Sequence, residues 1–295
     1  YSAPVLRNHP GLKKVIEYNK RGRGRIRSTR RIRRLLRKEK YDLALIPHRS
    51  FRSAFLAKIA GIPERFGFDR SAGKFLLSRK IPYRRDLHEV ERNLSLVNME
   101  TQAKHYPPQI FPGTAEREKA GGLLSEFGIT GKFTAIAPGS VWNTKRWLEE
   151  HYRELIRLMR QRDYPPVVLV GSPAERELCE RLAGSSPGFA HNVAGQLDPL
   201  ESAALLQRAE FAVSNDSAAA HIAAAVGTPV AAIFGPTVPE FGFAPWGKRN
   251  TVVQMEGLDC RPCRIHGSRR CPKGHFKCMT DLTPETVLGK VSTYR

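Results

Sequence analysis

The stretch from Val213 to Thr237, VSNDSAAAHIAAAVGTPVAAIFGPT, constrains the fold more tightly than any other part of the chain. It reads as a tight turn carrying Asn215, Asp216 and Ser217, then a small-residue helix through His221 and Ala225. A Gly-Thr-Pro break follows, then the buried strand VAAIF and a loop of Gly235, Pro236 and Thr237. Two polar loops then face one edge of a sheet. In an open α/β sheet the ligand crevice lies outside the carboxyl ends of the strands, and a helix N-terminus there offers free N–H groups to a phosphate. The helix expected over residues 218–226 opens just after Asn-Asp-Ser, and its alanines let backbone approach ligand and sheet closely. The same Asn-Asp-Ser is also ordinary N-cap chemistry, worth about 0.5–2 kcal/mol without any ligand.

The rest of the chain alternates strands with helices. YDLALIP is a short buried strand, residues 50–60 form a helix with Phe51, Ala54, Phe55 and Ile59 on one face, and ERFGF is another strand. RDLHEVERNLSLVN reads as a helix with His88 near its start, where a surface histidine and a ligand contact are both open readings. Periodicity is lost over residues 101–112, which carry Pro107, Pro108 and Pro112 and read as an extended linker. Beyond it come a helix over 116–127, the strand KFTAIA, the turn Pro138-Gly139-Ser140, and a helix over 148–162. The strand PVVLVG, the helix ERELCERLA, a helix over 199–209 and the strand FAVSN complete the series. A chain of 295 residues exceeds the size at which one core usually splits. The expected fold is therefore α/β with parallel sheets and two Rossmann-like domains, residues 1–112 and 113–280, followed by a terminal helix over 281–295.

Charge is distributed unevenly. Of a net +21, residues 1–58 carry 18 Lys and Arg against 3 acidic residues, which implies an anionic partner: nucleic acid, acidic lipid headgroups or a phosphorylated glycolipid. Within KRGRGRIRSTRRIRRLLRKEK, Gly22 and Gly24 suggest a mobile loop, and Ser28-Thr29 is an N-cap candidate for a helix with Ile32, Leu35 and Leu36 as a narrow apolar stripe. Arg30, Arg31, Arg33 and Arg34 occupy the other faces, either as an anion-binding patch or as a solvated helix surface. No apolar run approaches the roughly 20 residues needed to span a bilayer and no signal peptide is evident, so a soluble, cytoplasmic chain is expected. It begins at Tyr1 rather than Met, and a further N-terminal segment is expected to precede it.

Cys260 and Cys263 form a C-x-x-C pair, followed by Cys271 and Cys278 with His275 between them, enough ligands for a structural zinc. The pair has a familiar zinc spacing and the wider gaps do not, so reduced cysteines packing an irregular loop are the default reading and a zinc site the alternative. Cys179, alone in a helix, reads as buried filler.

Several of these elements resemble the glycosyltransferase family that includes the ADP-heptose:lipopolysaccharide heptosyltransferases, glycosyltransferase family 9. The opening stretch is similar to its N-D-S-G-x-x-H, A-A-x-G-x-P and F-G-P-T pattern, with Ala218 where Gly is usual, a change that restricts backbone angles at that turn. Ser140, Lys145, Arg146 and Trp147 resemble a G-S-x-x-x-x-K-R-W-P element in which Leu148 replaces the Pro, and GSPAE resembles a G-x-P-x-E element ending at Glu175. FGPTVPEFGFAPWG and the cysteine block look closest to the heptosyltransferase II branch. The resemblance implies a two-Rossmann glycosyltransferase B arrangement facing a cleft, the first domain lacking its N-terminal strand in this chain and the terminal helix crossing back towards it. It also implies transfer of heptose from ADP-heptose to the lipopolysaccharide inner core with inversion, no required cofactor, and a position at the cytoplasmic face of the inner membrane.

The implied donor contacts are Ser140, Lys145, Glu175, Asn215, Asp216, Ser217, Ala218, His221, Gly235, Pro236 and Thr237. Lys145 would neutralise the leaving diphosphate and Glu175 would bind ribose, although an acidic residue at Glu175 also suits a helix N-terminus. Arg30, Arg31, Arg33, Arg34 and His88 are the implied acceptor or anion contacts. The family's candidate base, an Asp in a Gly-Asp pair after the first strand, precedes Tyr1. Two alternatives stand beside this reading: the same fold acting on another nucleotide sugar or acceptor, and a basic nucleic-acid-binding protein with a zinc loop. Nucleic acid is not the expected partner, because the basic region lacks an aromatic stacking pattern and that reading leaves Lys145 and Asp216 unexplained.

Overall fold

The computed structural model describes residues 3–18 and 25–294, and the expected loop of Gly22 and Gly24 lies outside them. The chain divides into two compact units, one of residues Lys14–Tyr106 and one of Tyr1–Lys13 with Pro107–Arg295. The boundary therefore falls a few residues before the expected position near 113, and the N-terminal segment belongs to the second unit. Arg7 explains that membership: its guanidinium lies 3.4 Å from Glu116 Oε1 and 3.6 Å from Asp198 Oδ2, while the His9 ring meets Phe111 edge-on.

The smaller unit runs α1 (Arg25–Glu39), β1 (Leu43–Ile46), α2 (Phe51–Ile59), β2 (Glu64–Phe68), β3 (Arg79–Ile81) and α3 (Glu89–Ser95). Its strands form a parallel sheet in the order β1-β2-β3. Ser50 caps α2 by accepting from the Arg52 N–H, as its residue type favours. The helix α1 is already helical at Arg25, ahead of the expected cap, and Thr29 Oγ1 lies 2.8 Å from the Tyr18 hydroxyl. Ile32 is buried as the apolar stripe requires. β1 differs from the expected buried strand: only Ile46 is buried, while Leu43 and Leu45 are 40% and 46% exposed. Among the described residues its outer edge carries no strand partner.

The larger unit contains α4 (Thr114–Glu126), β4 (Thr134–Ala137), α5 (Glu149–Gln161), β5 (Val167–Leu169), α6 (Arg176–Gly184), β6 (Ala190–Asn192), α7 (Pro199–Arg208), β7 (Phe211–Asn215), α8 (Ala218–Ala225), β8 (Val230–Phe234), β9 (Thr251–Gln254), α9 (Lys277–Thr280) and α10 (Pro284–Val291). The strands form a parallel sheet in the order β6-β5-β4-β7-β8-β9. Relabelled from its first strand, this is the doubly wound order 3-2-1-4-5-6, and the direction of winding reverses between β4 and β7. Central parallel strands are covered on both faces, so β4, β7 and β8 are buried at every position.

Alternate residues of the sheet feed two cores. Ile136, Leu169, Val213 and Ile233 pack with Leu155, Ile156 and Met159 of α5, Leu182 of α6, and Val287 and Leu288 of α10. Ala135, Val168, Ala212 and Ala232 pack with Leu123 and Leu124 of α4, Leu205 of α7, and Ala220 and Ala223 of α8. The terminal helix is thus built into this unit, and the Tyr294 hydroxyl donates to Val230 O at 3.1 Å.

Candidate active site

Chemistry collects at the carboxyl ends of β4 and β7, where the order of the sheet reverses. β4 runs into Pro138, Gly139 and Ser140, and β7 ends on Asn215 and runs into Asp216, so the two loops begin side by side. Asn215 is fully buried and spends its whole amide on joining them. Its Nδ2 donates to Pro138 O at 2.7 Å and Gly139 O at 3.2 Å; its Oδ1 accepts from Trp147 N–H and the Tyr152 hydroxyl, both at 3.0 Å. Expected as a donor contact, Asn215 has no donor or acceptor pointing outward. It holds the turn after β4, the start of α5 and the end of β7 in one geometry.

That geometry delivers Lys145 to Asp216. Lys145 Nζ lies 2.5 Å from Asp216 Oδ2, and the Thr237 hydroxyl donates to the same oxygen at 2.6 Å. The two charged side chains are only 13% and 10% exposed, so removing either would strand a partly buried charge. Asp216 therefore does not cap α8 with its side chain. Ser217 is the N-cap and makes no side-chain cap bond, which leaves the first-turn N–H groups of α8 uncapped by side chains. Arg146 turns back to donate from Nε to Ser140 O at 2.7 Å, fixing the loop that carries Lys145.

Glu175 joins from β5. Its Oε2 accepts from the Ser172 N–H at 2.7 Å and the Ser172 hydroxyl at 2.8 Å, closing a capping box, so the helix-start role is real. The carboxylate also lies over the turn after β4, where a β-carbon on Gly139 would collide with Oε1. Glycine at 139 is what lets Glu175 reach the switch point.

The family model for glycosyltransferase family 9 (heptosyltransferase) matches residues 29–273, spanning both units. The chain belongs to glycosyltransferase family 9. It is 29% identical to lipopolysaccharide heptosyltransferase 2 of Salmonella typhimurium, with 88% of this chain and 77% of that protein covered. It is 30% identical to lipopolysaccharide heptosyltransferase 1 of Pseudomonas aeruginosa, covering 88% and 72%. Among solved structures, E. coli ADP-heptose lipopolysaccharide heptosyltransferase II superposes with a TM-score of 0.77 at 24% identity, covering 99% of this chain and 86% of that one. An E. coli heptosyltransferase solved with ADP gives 0.73 at 21%, covering 99% and 87%.

In this family 9 glycosyltransferase the expected donor residues separate into groups. Ser140, Lys145, Glu175, Asp216, Ser217 and Thr237 lie on the loops at the carboxyl ends of β4, β5, β7 and β8. Ala218 and His221 are exposed on the first turns of α8. Gly235 and Pro236 are buried, and a β-carbon on Gly235 would strike the Met279 side chain, so that glycine serves packing. His88 caps α3: its Nδ1 accepts from the Val90 N–H at 3.2 Å, and its own N–H donates to Glu91 at 2.8 Å.

The arginines of α1 also divide. Arg31 donates to Glu17 O at 3.0 Å and Arg33 to Ile59 O at 3.2 Å, each fastening α1 to its own unit. Arg30 and Arg34 are exposed and lack an ion pair among the described residues. With Arg27, Arg37 and Lys38 they fall at helical spacing on the face opposite Ile32. The cavity of about 270 Å³ found in this unit is lined by Leu36, Ile46, Leu56, Ala57 and Ile62 and is apolar, unlike the switch-point site.

All five cysteines are free. Burial pushes the Cys179 thiol up to about 12 and the Cys278 thiol up to about 11, so both are inert core groups at neutral pH. Among the described residues no three His, Cys, Asp or Glu side chains gather as a metal site. No helix of the described residues is long and apolar enough to cross a membrane.

Proposed function

We propose that the chain moves heptose from ADP-heptose to the inner core of lipopolysaccharide, with the donor held at the β4–β7 switch point. The observation that carries this reading is the buried meeting of Lys145, Asp216 and Thr237 at the place where open α/β sheets bind ligands, in a chain of this family. Before donor arrives, Asp216 neutralises Lys145. A diphosphate offers Lys145 Nζ a stronger charge partner, and Asp216 is then released to accept from sugar hydroxyls. As the glycosidic bond breaks, negative charge grows on the departing ADP, and Lys145 meets it with the uncapped N–H groups of α8. Glu175 Oε1, not engaged in the capping box, suits the paired hydroxyls of the ribose. The acceptor hydroxyl attacks from the opposite face and needs a base to take its proton, a role that none of these residues fills. No cofactor enters the scheme.

The exposed Arg30 and Arg34 stripe of α1 supports a further part of the reading, docking to the anionic surface that carries the acceptor at the inner face of the membrane. Titration calorimetry with nucleotides tests the donor assignment. ADP is expected to bind at least about tenfold more tightly than UDP, on the scale of a nucleobase pocket losing its matched hydrogen bonds. Equal affinities would move the chain to another nucleotide sugar, and absence of binding to either would remove the donor reading.

A further inference from the structure

The segment between β9 and α9, which carries the C-x-x-C pair, is fastened at two places to the two halves of the donor site. The first fastening is Arg261. Its half-buried guanidinium donates to the backbone carbonyls of Gly235 and Met255, to Thr237 O at 2.9 Å and to Gln254 Oε1 at 2.8 Å. Every one of these acceptors is neutral, and Arg261 has no carboxylate partner among the described residues. Cys263 N–H adds a bond to Pro236 O at 2.9 Å, so all three carbonyls of the Gly-Pro-Thr loop are tied down by one short segment.

The second fastening is Ser268. Its N–H donates to Thr144 Oγ1 at 2.8 Å, and its carbonyl accepts from the Thr144 N–H at 3.1 Å. Beside it Gly267, at φ +79°, lies against the stem of Lys145, where a β-carbon would come within 3.1 Å of Cγ. A single stretch of about seven residues between Arg261 and Ser268 therefore spans from the Thr237 side of Asp216 to the Lys145 side. A guanidinium suits the first anchor because its five donors form a rigid fork, which an ammonium on a flexible stem cannot reproduce.

We propose that Arg261 is a positioning residue for donor recognition. By holding the Gly235–Thr237 backbone it aims Thr237 Oγ1 at Asp216, and thereby sets the Asp216–Lys145 pair before a nucleotide sugar arrives. The inference rests on the reading that Lys145, Asp216 and Thr237 form the donor site, and it gives the cysteine-bearing segment a role that needs no metal. A segment that merely closed the surface of the fold would contribute stability and nothing to the affinity that passes through Thr237.

A double-mutant cycle on the full chain separates the two. Arg261→Lys, Thr237→Val and the double variant are compared by ADP calorimetry and thermal unfolding. Arg261→Lys is expected to weaken ADP by about tenfold, and to do so hardly at all once Thr237→Val has removed the hydroxyl it aims, since residues acting through one network are not additive. Full additivity, or loss of stability with unchanged ADP affinity, would overturn the proposal. If the unsubstituted chain fails to bind ADP, the donor reading falls, and hydrogen exchange without ligand still decides the positioning. Arg261→Lys should then speed exchange at the amides of Asp216 and Lys145 as well as at Thr237, whereas acceleration confined to residues 255–263 would refute it.

Discussion

The two sheets of this chain are built from the same parallel βα unit and solve different problems. In the larger unit the four inner strands of a six-stranded sheet are buried at every position, and its loops meet through a fully buried asparagine that leaves Lys145 and Asp216 in a fixed, nearly dry contact. In the smaller unit three strands enclose a modest core of Ile46, Ala54, Ala57, Ala60, Ile62 and Leu77. Residues 14–106 hold 25 basic and 9 acidic side chains, a net +16 of the total +21. Such a density of like charge opposes compaction, and a counter-anion relieves it. Rigidity thus lies in the unit proposed to orient the small charged donor, and surplus charge in the unit proposed to dock a large anionic partner.

The largest expected effect comes from the larger unit. In a transfer assay Lys145→Ala should lower kcat by about 10²-fold, the scale of losing one preorganised electrostatic stabiliser, with a smaller change in ADP affinity. A raised donor KM with intact kcat would make Lys145 a ground-state phosphate contact and erase the contrast drawn above.

The next tests the smaller unit. Replacing Arg30 and Arg34 together with Gln should weaken binding to vesicles of anionic lipid by about tenfold or more, at roughly 1 kcal/mol per basic residue near such a surface, and leave ADP affinity unchanged. Replacing Arg31 and Arg33 instead should lower the melting temperature, because their bonds to Glu17 O and Ile59 O are internal. Identical behaviour of the two pairs would break the division of α1 into a docking face and a packing face.

A smaller effect sharpens the donor side. Asp216→Asn keeps the shape of the side chain and removes the charge that orients Lys145. ADP should bind about threefold more weakly, and transfer from ADP-heptose should slow further because the sugar hydroxyls lose a charged acceptor. Tighter ADP binding would mean that Asp216 competes with the diphosphate for Lys145 more than it orients it, and would count against positioning from Arg261 through Thr237 as well.

Much of the larger unit was legible in the sequence because buried parallel strands leave short apolar runs between turn signals. TAIA, VVL, FAVSN and VAAIF all stand where periodicity and Gly-Pro punctuation place strands. The strands β3, β6 and β9 were not read: RKI and AHN carry polar residues at three-residue length, and TVVQ follows a loop without helical spacing. Ser140, Lys145, Glu175 and Asp216 could be grouped only through resemblance, since the chain separates them by tens of residues and the sheet order alone brings them together. Asn215 looked like a ligand contact because an amide before a helix is ambiguous; only its four buried partners reveal the clamp. Arg261 carried no signal at all, because a guanidinium bonded to backbone carbonyls leaves no complementary carboxylate in the sequence to find.

Hydrogen exchange of the full chain with and without saturating ADP tests most directly whether the donor site lies at the β4–β7 switch point. Protection is expected over residues 138–147, 172–176, 214–219 and 235–237, with the amides of α1, β1 and α2 unchanged. Protection centred on residues 43–60, with the switch-point loops unaffected, would contradict the account.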